Sequence, residues 1–281
     1  MKISKLLSET ARRFARAGLH YGHGTHSARE EAAWLISSTL GYLLEEEVTL
    51  KDQKTIDKLA QRRIRERIPL AYLLKEAWLG GKSFYIDKRV IVPRSYIAEL
   101  LRDRLEPWLA REPKRALDLC TGSGCLAVLL ALEFPGVRVD ATDLSAAALQ
   151  IAKINIRKYR LGKRVRALRS NLFGALGTQR YDLIVSNPPY VTSRSMRKLP
   201  AEYRHEPRLA LAAGRDGLDL VRRILARARH HLSPGGLLVC EIGGNRKALE
   251  RAYPKLEFIW PQVSDAGSVF ILQREQLPLA F

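Results

Sequence analysis

The chain has 281 residues, with 48 Lys+Arg against 29 Asp+Glu, a formal net charge of +19 and a pI near 10.2. With 46% hydrophobic and 27% charged residues it carries enough apolar material for a full core, which excludes disordered, collagen-like and coiled-coil classes. Its length predicts one large domain or two unequal ones, and the positive excess points to a polyanionic neighbourhood, most simply nucleic acid.

No apolar stretch approaches the roughly 20 residues that span a bilayer. The longest runs, Leu126–Leu132 and Leu237–Cys240, stop at Glu133 and Glu241. Three cysteines, Cys120, Cys125 and Cys240, form no CxxC pair, and their odd number speaks against a disulfide framework. A soluble protein of the reducing cytoplasm, away from membranes, is expected.

Residues 1–76 read as a small helical domain, with apolar positions every three or four residues. The basic start, with a single acid at Glu9, is compatible with a transit peptide, but Ile3, Leu6, Leu7 and Phe14 suit an amphipathic helix, the reading taken here. Ser27 and Glu30 form a capping box ahead of Ala32–Leu40, and Thr55 to Ala60 leads into a helix bearing Arg62, Arg63, Arg65 and Arg67. Residues 77–92 then change period to two around Gly80-Gly81, in Phe84-Tyr85-Ile86 and Val90-Ile91-Val92, predicting a β-hairpin linker.

From 93 to 281 short apolar strands alternate with helices. The strands are expected at Ala116–Cys120, Val137–Thr142, Val165–Leu168, Asp182–Ser186, Gly236–Ile242 and near Val269–Leu272. This is the pattern of an α/β domain with a doubly wound, mostly parallel sheet. Ligands of such sheets sit beyond the carboxyl ends of the strands.

After the first strand, Asp118-Leu119-Cys120-Thr121-Gly122-Ser123-Gly124 opens the helix Cys125–Glu133. Glycines there admit a ligand to the helix N-terminus, although a strand-to-helix turn needs them equally. The segment from Gly122 to Ala127 also fits the dinucleotide fingerprint, with Asp143 about twenty residues on. At the end of the second strand, the Asp143 carboxylate suits the paired hydroxyls of a ribose, present in nicotinamide cofactors and in S-adenosylmethionine alike; capping the helix from Ser145 is the plainer use.

The fourth strand runs into Asn187-Pro188-Pro189-Tyr190. Two prolines fix an extended turn without amide donors, leaving acceptors toward the pocket. The Asn187 side-chain oxygen and the Pro188 carbonyl can each take one N–H of a planar NH₂ group while the Tyr190 ring covers its face.

This combination resembles the S-adenosylmethionine-dependent class I methyltransferases that act on planar nitrogens, whose hallmark is (D/N)PP(Y/F). The resemblance implies a Rossmann-like fold with a seven-stranded sheet, S-adenosylmethionine as cofactor, S-adenosylhomocysteine as product and no metal. It places Asp118 and Cys120 to Gly124 at the methionine end of the cofactor, Asp143 at the ribose, and Ser170-Asn171-Leu172-Phe173 beside adenine, with Asn187 touching the cofactor as well. Asn171 stands where the family usually has Asp. Within the family, Ile68-Pro69-Leu70-Ala71-Tyr72-Leu73, Glu76-Ala77-Trp78, Val92-Pro93-Arg94-Ser95-Tyr96-Ile97-Ala98-Glu99-Leu100 and Glu202–Pro207 are similar to the protein-glutamine methyltransferases. They are most similar to the PrmB branch, which modifies the large-subunit ribosomal protein uL3; Tyr96 departs from that branch's usual Pro.

The resemblance implies methyl transfer to a glutamine amide, with Asn187, Pro188 and Tyr190 catalytic and Pro189, Arg94 and Glu206 at the substrate, and a helical domain that docks the protein substrate. Release-factor glutamine and a nucleic-acid base amine are the alternative acceptors, and a nicotinamide dehydrogenase is a more distant reading. Glu241 and Arg94 either orient the peptide or form an internal ion pair. His205, the His20/His23/His26 set and His230-His231 are expected to be structural, without metal, and Cys120 and Cys125 to pack rather than react.

Nine Lys/Arg and no acid lie in the segment from Lys153 to Arg180. That imbalance exceeds the interspersed signs of an ordinary surface and predicts contact with ribosomal RNA through face 153–180.

Overall fold

The computed structural model describes residues 1–41, 47–264 and 268–279. Four helices come first: α1 (Ile3–Arg16), α2 (Ala28–Leu40), α3 (Leu50–Glu66) and the short α4 (Leu70–Leu74). Helix α1 buries Ile3, Leu6, Thr10 and Phe14, a single stripe that packs on Leu35 and Ile36 of α2 and Ile56 and Ala60 of α3. At the head of α2 the Ser27 hydroxyl accepts from the Glu30 amide, while the Glu30 carboxylate reaches past it to the His26 amide. Helix α3 starts earlier than the sequence suggests. Thr49 caps it by accepting from the Asp52 amide, and Thr55 lies inside, its hydroxyl donating back to the Lys51 carbonyl.

Strands β1 (Glu76–Leu79) and β2 (Lys82–Tyr85) form an antiparallel hairpin across Gly80-Gly81. The expected extension through Val90–Val92 is irregular. Its backbone groups are taken by side chains instead of a partner strand: the Tyr72 hydroxyl donates to the Val90 carbonyl at 2.5 Å, and the Val92 amide donates to Glu206 at 2.9 Å.

After α5 (Ile97–Arg102) come β3 (Arg115–Leu119), α6 (Cys125–Glu133), β4 (Arg138–Asp143), α7 (Ala146–Lys158), β5 (Val165–Arg169), β6 (Tyr181–Ser186), α8 (Ser193–Met196), α9 (Asp219–His231), β7 (Leu232–Glu241), α10 (Arg246–Ala252) and β8 (Val269–Gln273). The order across the sheet is β5-β4-β3-β6-β7-β8, parallel except for β8. Among the described residues the sheet has six strands, and Ile259 adds one isolated antiparallel bridge to Ile271 at the β8 edge. The seventh strand is reduced there to a single bridge.

Alternation along the strands feeds two cores. Ala116, Val139, Ala141, Leu183, Val185, Val239 and Ile271 meet α5 and α6 on one face. Leu117, Ile184, Leu238, Phe270 and Leu272 meet α9 and α10 on the other. Burial on both faces explains why these strands read as nearly continuous apolar runs. Strand order reverses between β3 and β6, so a crevice opens beyond their carboxyl ends.

Candidate active site

Two clefts meet at that crevice. The first is lined by Cys120 and Gly122 after β3, Asp143, Leu144 and Ser145 after β4, Ser170, Asn171 and Leu172 after β5, and Asn187 and Pro189 after β6, closed by Leu209, Leu220 and Arg223. The second is lined by Arg94, Pro188, Tyr190, Leu199 and Tyr203. Ile91, Asn187, Pro189 and Ala210 belong to both walls.

The glycine-rich turn is organised from beneath. Asp118 is buried and accepts from the Thr121 hydroxyl at 2.5 Å and from the Ala127 amide at 3.0 Å. Its second oxygen is buried without a partner among the described residues, and burial pushes its pKa up to about 7. Gly124 has φ +78°, and a Cβ there would stand 3.1 Å from the Ala152 Cα, so only glycine lets α6 sit this close to α7. Asp118, Thr121, Ser123 and Gly124 therefore stand behind the wall, shaping the turn, whereas Cys120 and Gly122 are on it. Burial drives the Cys120 thiol far above its ordinary range and Cys125 to about 12, leaving no nucleophilic thiolate.

Asp143 accepts from the Gly122 amide at 2.9 Å and the Ser145 amide at 2.8 Å, joining the ends of β3 and β4 in one turn. The Asn171 oxygen accepts from Arg223 at 2.6 Å. Arg223 and Leu220 escaped the sequence reading because they come from α9, after the clamp, and no local motif marks them.

At the Asn187-Pro188-Pro189-Tyr190 turn, Asn187 donates its amide N–H to the Arg94 carbonyl at 3.1 Å, which leaves its oxygen as the acceptor. The stretch beyond is tied down: the Val191 amide donates to the Leu211 carbonyl at 2.8 Å, the Ala213 amide donates to the Val191 carbonyl at 3.0 Å, and Asn245 donates to the Tyr190 carbonyl at 2.8 Å.

Arg94 and Glu206, both expected at the substrate, pair with each other. Two bonds of 2.7 Å join them, and Glu206 also accepts from the Val92 amide. Glu206 is on neither wall. Arg94 is, and its guanidinium lies 5.3 Å from the Tyr203 ring centre. Glu241 makes no ion pair among the described residues; it accepts from Ser95 and Tyr96. His205 bonds the Glu66 carbonyl at 2.9 Å. His23 is buried beside Tyr203, ring centres 4.5 Å apart, and burial pulls its pKa down to about 4. Among the described residues no cluster of His, Cys, Asp or Glu suits a metal ion.

A buried network that no motif announced locks the helical domain to the loop after the clamp. Arg63, only 1% exposed, pairs with Glu31 and Glu202, while Arg67 and the His20 amide also bond Glu202. In the sequence Arg63 is one of four arginines in the run 62–67, and helical periodicity does not say which arginine of a run faces inward.

The first cleft fits a nucleoside with a charged tail. Leu144, Leu172, Leu209 and Leu220 offer apolar walls to a base, and the Asp143 carboxylate on the same lining suits a ribose. A dinucleotide fits less well, because Asp118 already occupies the α6 Ala127 amide that would cradle a pyrophosphate.

A family model described as the methyltransferase small domain matches residues 98–202. The chain is similar to the ribosomal protein uL3 glutamine methyltransferase of Neisseria meningitidis serogroup B, 49% identical over 286 residues, covering 98% of this chain and 94% of that protein. The corresponding protein of Burkholderia pseudomallei is 45% identical, with 98% and 95% covered. Among solved structures, the hMettl16 catalytic domain in complex with the MAT2A 3′UTR hairpin 6 superposes with a TM-score of 0.54 at 15% identity, over 85% of this chain and 90% of that one, a likeness of fold.

Proposed function

From membership of the ribosomal protein uL3 glutamine methyltransferase family, to which the chain belongs at 45–49% identity, we propose that it methylates a glutamine side-chain amide of uL3, held by Asn187 and Pro188. The family's cofactor, S-adenosylmethionine, would supply an electrophilic methyl on sulfur to an amide held by Asn187 and Pro188: the nitrogen's electron pair would form the N–C bond, the C–S pair would return to sulfur, and the surplus N–H proton would leave to solvent.

One observation carries the reading. Asn187 is shared by both clefts, and its N–H is committed to the Arg94 carbonyl, so an acceptor faces the point where donor and amide meet. An amide nitrogen is a weak nucleophile because its lone pair is delocalised into the carbonyl. Two acceptors on its N–H bonds favour pyramidalisation, which frees that pair toward the methyl, while the rigid turn fixes distance and angle. Asp143 would hold the ribose, Cys120 and Gly122 the methionine end, and Asn171 with Leu172 the adenine. Pro189 and Tyr190 wall the amide; Arg94 shapes the second cleft through its pairing with Glu206. Residues 1–76 dock the protein substrate next to that cleft, and the reaction belongs to the cytoplasm, where ribosomes assemble.

The partner reading extends to ribosomal RNA. Arg115, Arg138, Lys163, Arg164 and Arg166 line a cleft at the amino ends of β3, β4 and β5, opposite the clamp. An RNA-bound form of uL3 would meet this face.

The experiment is incubation with labelled S-adenosylmethionine and a ribosomal fraction. Label that resists nuclease and yields methylglutamine in uL3 is the expected result. Label in a release factor, or released as a methylated base, overturns the assignment.

A further inference from the structure

The turn after β7, residues 241–245, grips Tyr190 at three points. The Tyr190 hydroxyl donates to Glu241 Oε1 at 3.4 Å. Gly243 has φ +53°, and a Cβ there would lie 2.7 and 2.8 Å from Tyr190 Cε2 and Cδ2, so the ring rests directly on the backbone. Asn245 holds the Tyr190 carbonyl.

Glu241 is the unusual member of this turn. It is 1% exposed, and its other oxygen accepts from the Ser95 hydroxyl at 2.7 Å and the Tyr96 amide at 3.0 Å. Arg94, the cation nearby, is held by Glu206 through two bonds. A carboxylate this deep without a cation of its own is costly, and a neutral amide would satisfy the same donors.

We propose that Glu241 is a positioning residue for methyl transfer: its carboxylate orients the Tyr190 phenol and makes the ring face more negative where the amide nitrogen gains positive charge. A phenol that donates to a carboxylate shifts electron density into its ring, and a cation over an aromatic face is stabilised by that density. This rests on the glutamine reading given above. Burial pushes the Glu241 pKa up to about 7, with Tyr190, Tyr96, Arg94 and Cys240 as the titratable groups around it. Between pH 6 and pH 8 the carboxylate therefore gains its charge, and the rate rises with it.

The test is the pH profile of kcat, at saturating cofactor and uL3, for the wild type, Glu241→Gln, Tyr190→Phe and the double variant, each with its thermal midpoint. Wild-type kcat is expected to rise about fivefold from pH 6 to pH 8, as one ionisation near 7 dictates when the protonated form is about tenfold slower. Glu241→Gln should lose about tenfold at pH 8, lose the inflection and leave KM within about twofold. Its thermal midpoint at pH 8 should not fall, since a buried charge has been removed. The double variant should be no slower than the slower single one, because the two groups act as a unit. If Glu241→Gln does not fold, Tyr190→Phe alone must flatten the profile.

A Glu241→Gln enzyme with the wild-type profile, a Tyr190→Phe enzyme that keeps the inflection, or additive losses in the double variant would overturn the proposal while methylglutamine formation by the wild type stands. Wild-type enzyme that forms no methylglutamine overturns the parent reading and this one together.

Discussion

Arginine–carboxylate clusters stand at both ends of the same sheet, and they differ in what surrounds them. Beyond the carboxyl ends, Arg63 is 1% exposed and its partners Glu31 and Glu202 are 4% and 3% exposed at the side chain. At the amino ends, Arg166 pairs with Asp140 but is 57% exposed, and Arg138 and Lys163 make no ion pair among the described residues. The first cluster ties the N-terminal helices to the loop after β6, with Arg63 and both carboxylates closed to solvent. The second leaves surplus charge where a polyanion can reach it. Identical chemical pairs thus do opposite work, and exposure decides which.

The sharpest way to break that contrast is stability. Arg63→Met strands Glu31 in the interior, while Glu202 keeps Arg67 and the His20 amide, and should cost about 3–5 kcal/mol. Arg166→Met should cost less than about 1 kcal/mol, because the buried Asp140 retains the Tyr181 hydroxyl at 2.7 Å and Arg115 at 3.7 Å, while the Arg166 head itself is mostly in water. Denaturant titration of both variants checks the difference; equal losses would erase the distinction.

At the carboxyl end, Asn187→Ala removes one acceptor from the clamp and should lower kcat by about 10²–10³-fold, with cofactor affinity changed little. Stopped-time methylation assays on free uL3 and calorimetric cofactor titration read the two effects separately. No change in kcat would sink the clamp.

His23 gives a pH signature of the buried end. Burial favours its neutral ring and lowers its pKa from 6.5 to about 4. The unfolded chain therefore binds a proton before the folded one does. The stability due to His23 is full above pH 6.5 and declines as the pH falls toward 4, by up to about 3 kcal/mol. Asp118 and Glu241, both raised to about 7, act in the opposite sense, gaining stability as pH falls toward 4.5. The gap between His23→Gln and wild-type thermal midpoints, followed from pH 8 to pH 4.5, isolates the histidine. A gap independent of pH would refute its burial as a neutral ring.

The smallest expected effect lies at the amino end. Arg138→Glu with Lys163→Glu should leave kcat on free uL3 unchanged and make the salt dependence of RNA binding shallower by about 2 in the log–log slope. An unchanged slope would remove RNA from this face.

Much of this architecture is legible in the residues themselves. Strands β3, β4, β6 and β7 lie within a few residues of their apolar runs, because burial on both faces requires such runs; β5, at the sheet edge, is half exposed. The turn after β6 is equally local in its backbone, because Pro188 and Pro189 fix their own φ, whereas Arg94 and residues 241–245 set the side chains of Asn187 and Tyr190. Val90–Val92 misled, since an apolar triplet has the same appearance whether its amides meet a strand or Glu206.

The sequence by itself determined the alternation of strands and helices, the rigid turn after β6 and the excess of positive charge, for each depends on neighbours along the chain. Tertiary structure alone decided which charges are paired. It sent Arg63 inward and Arg138 outward, joined Arg94 to Glu206 across 112 residues, and set Glu241 beside Tyr190 without a cation. Periodicity fixes which face a residue occupies, but the dielectric and the partner it meets there come from segments distant in sequence.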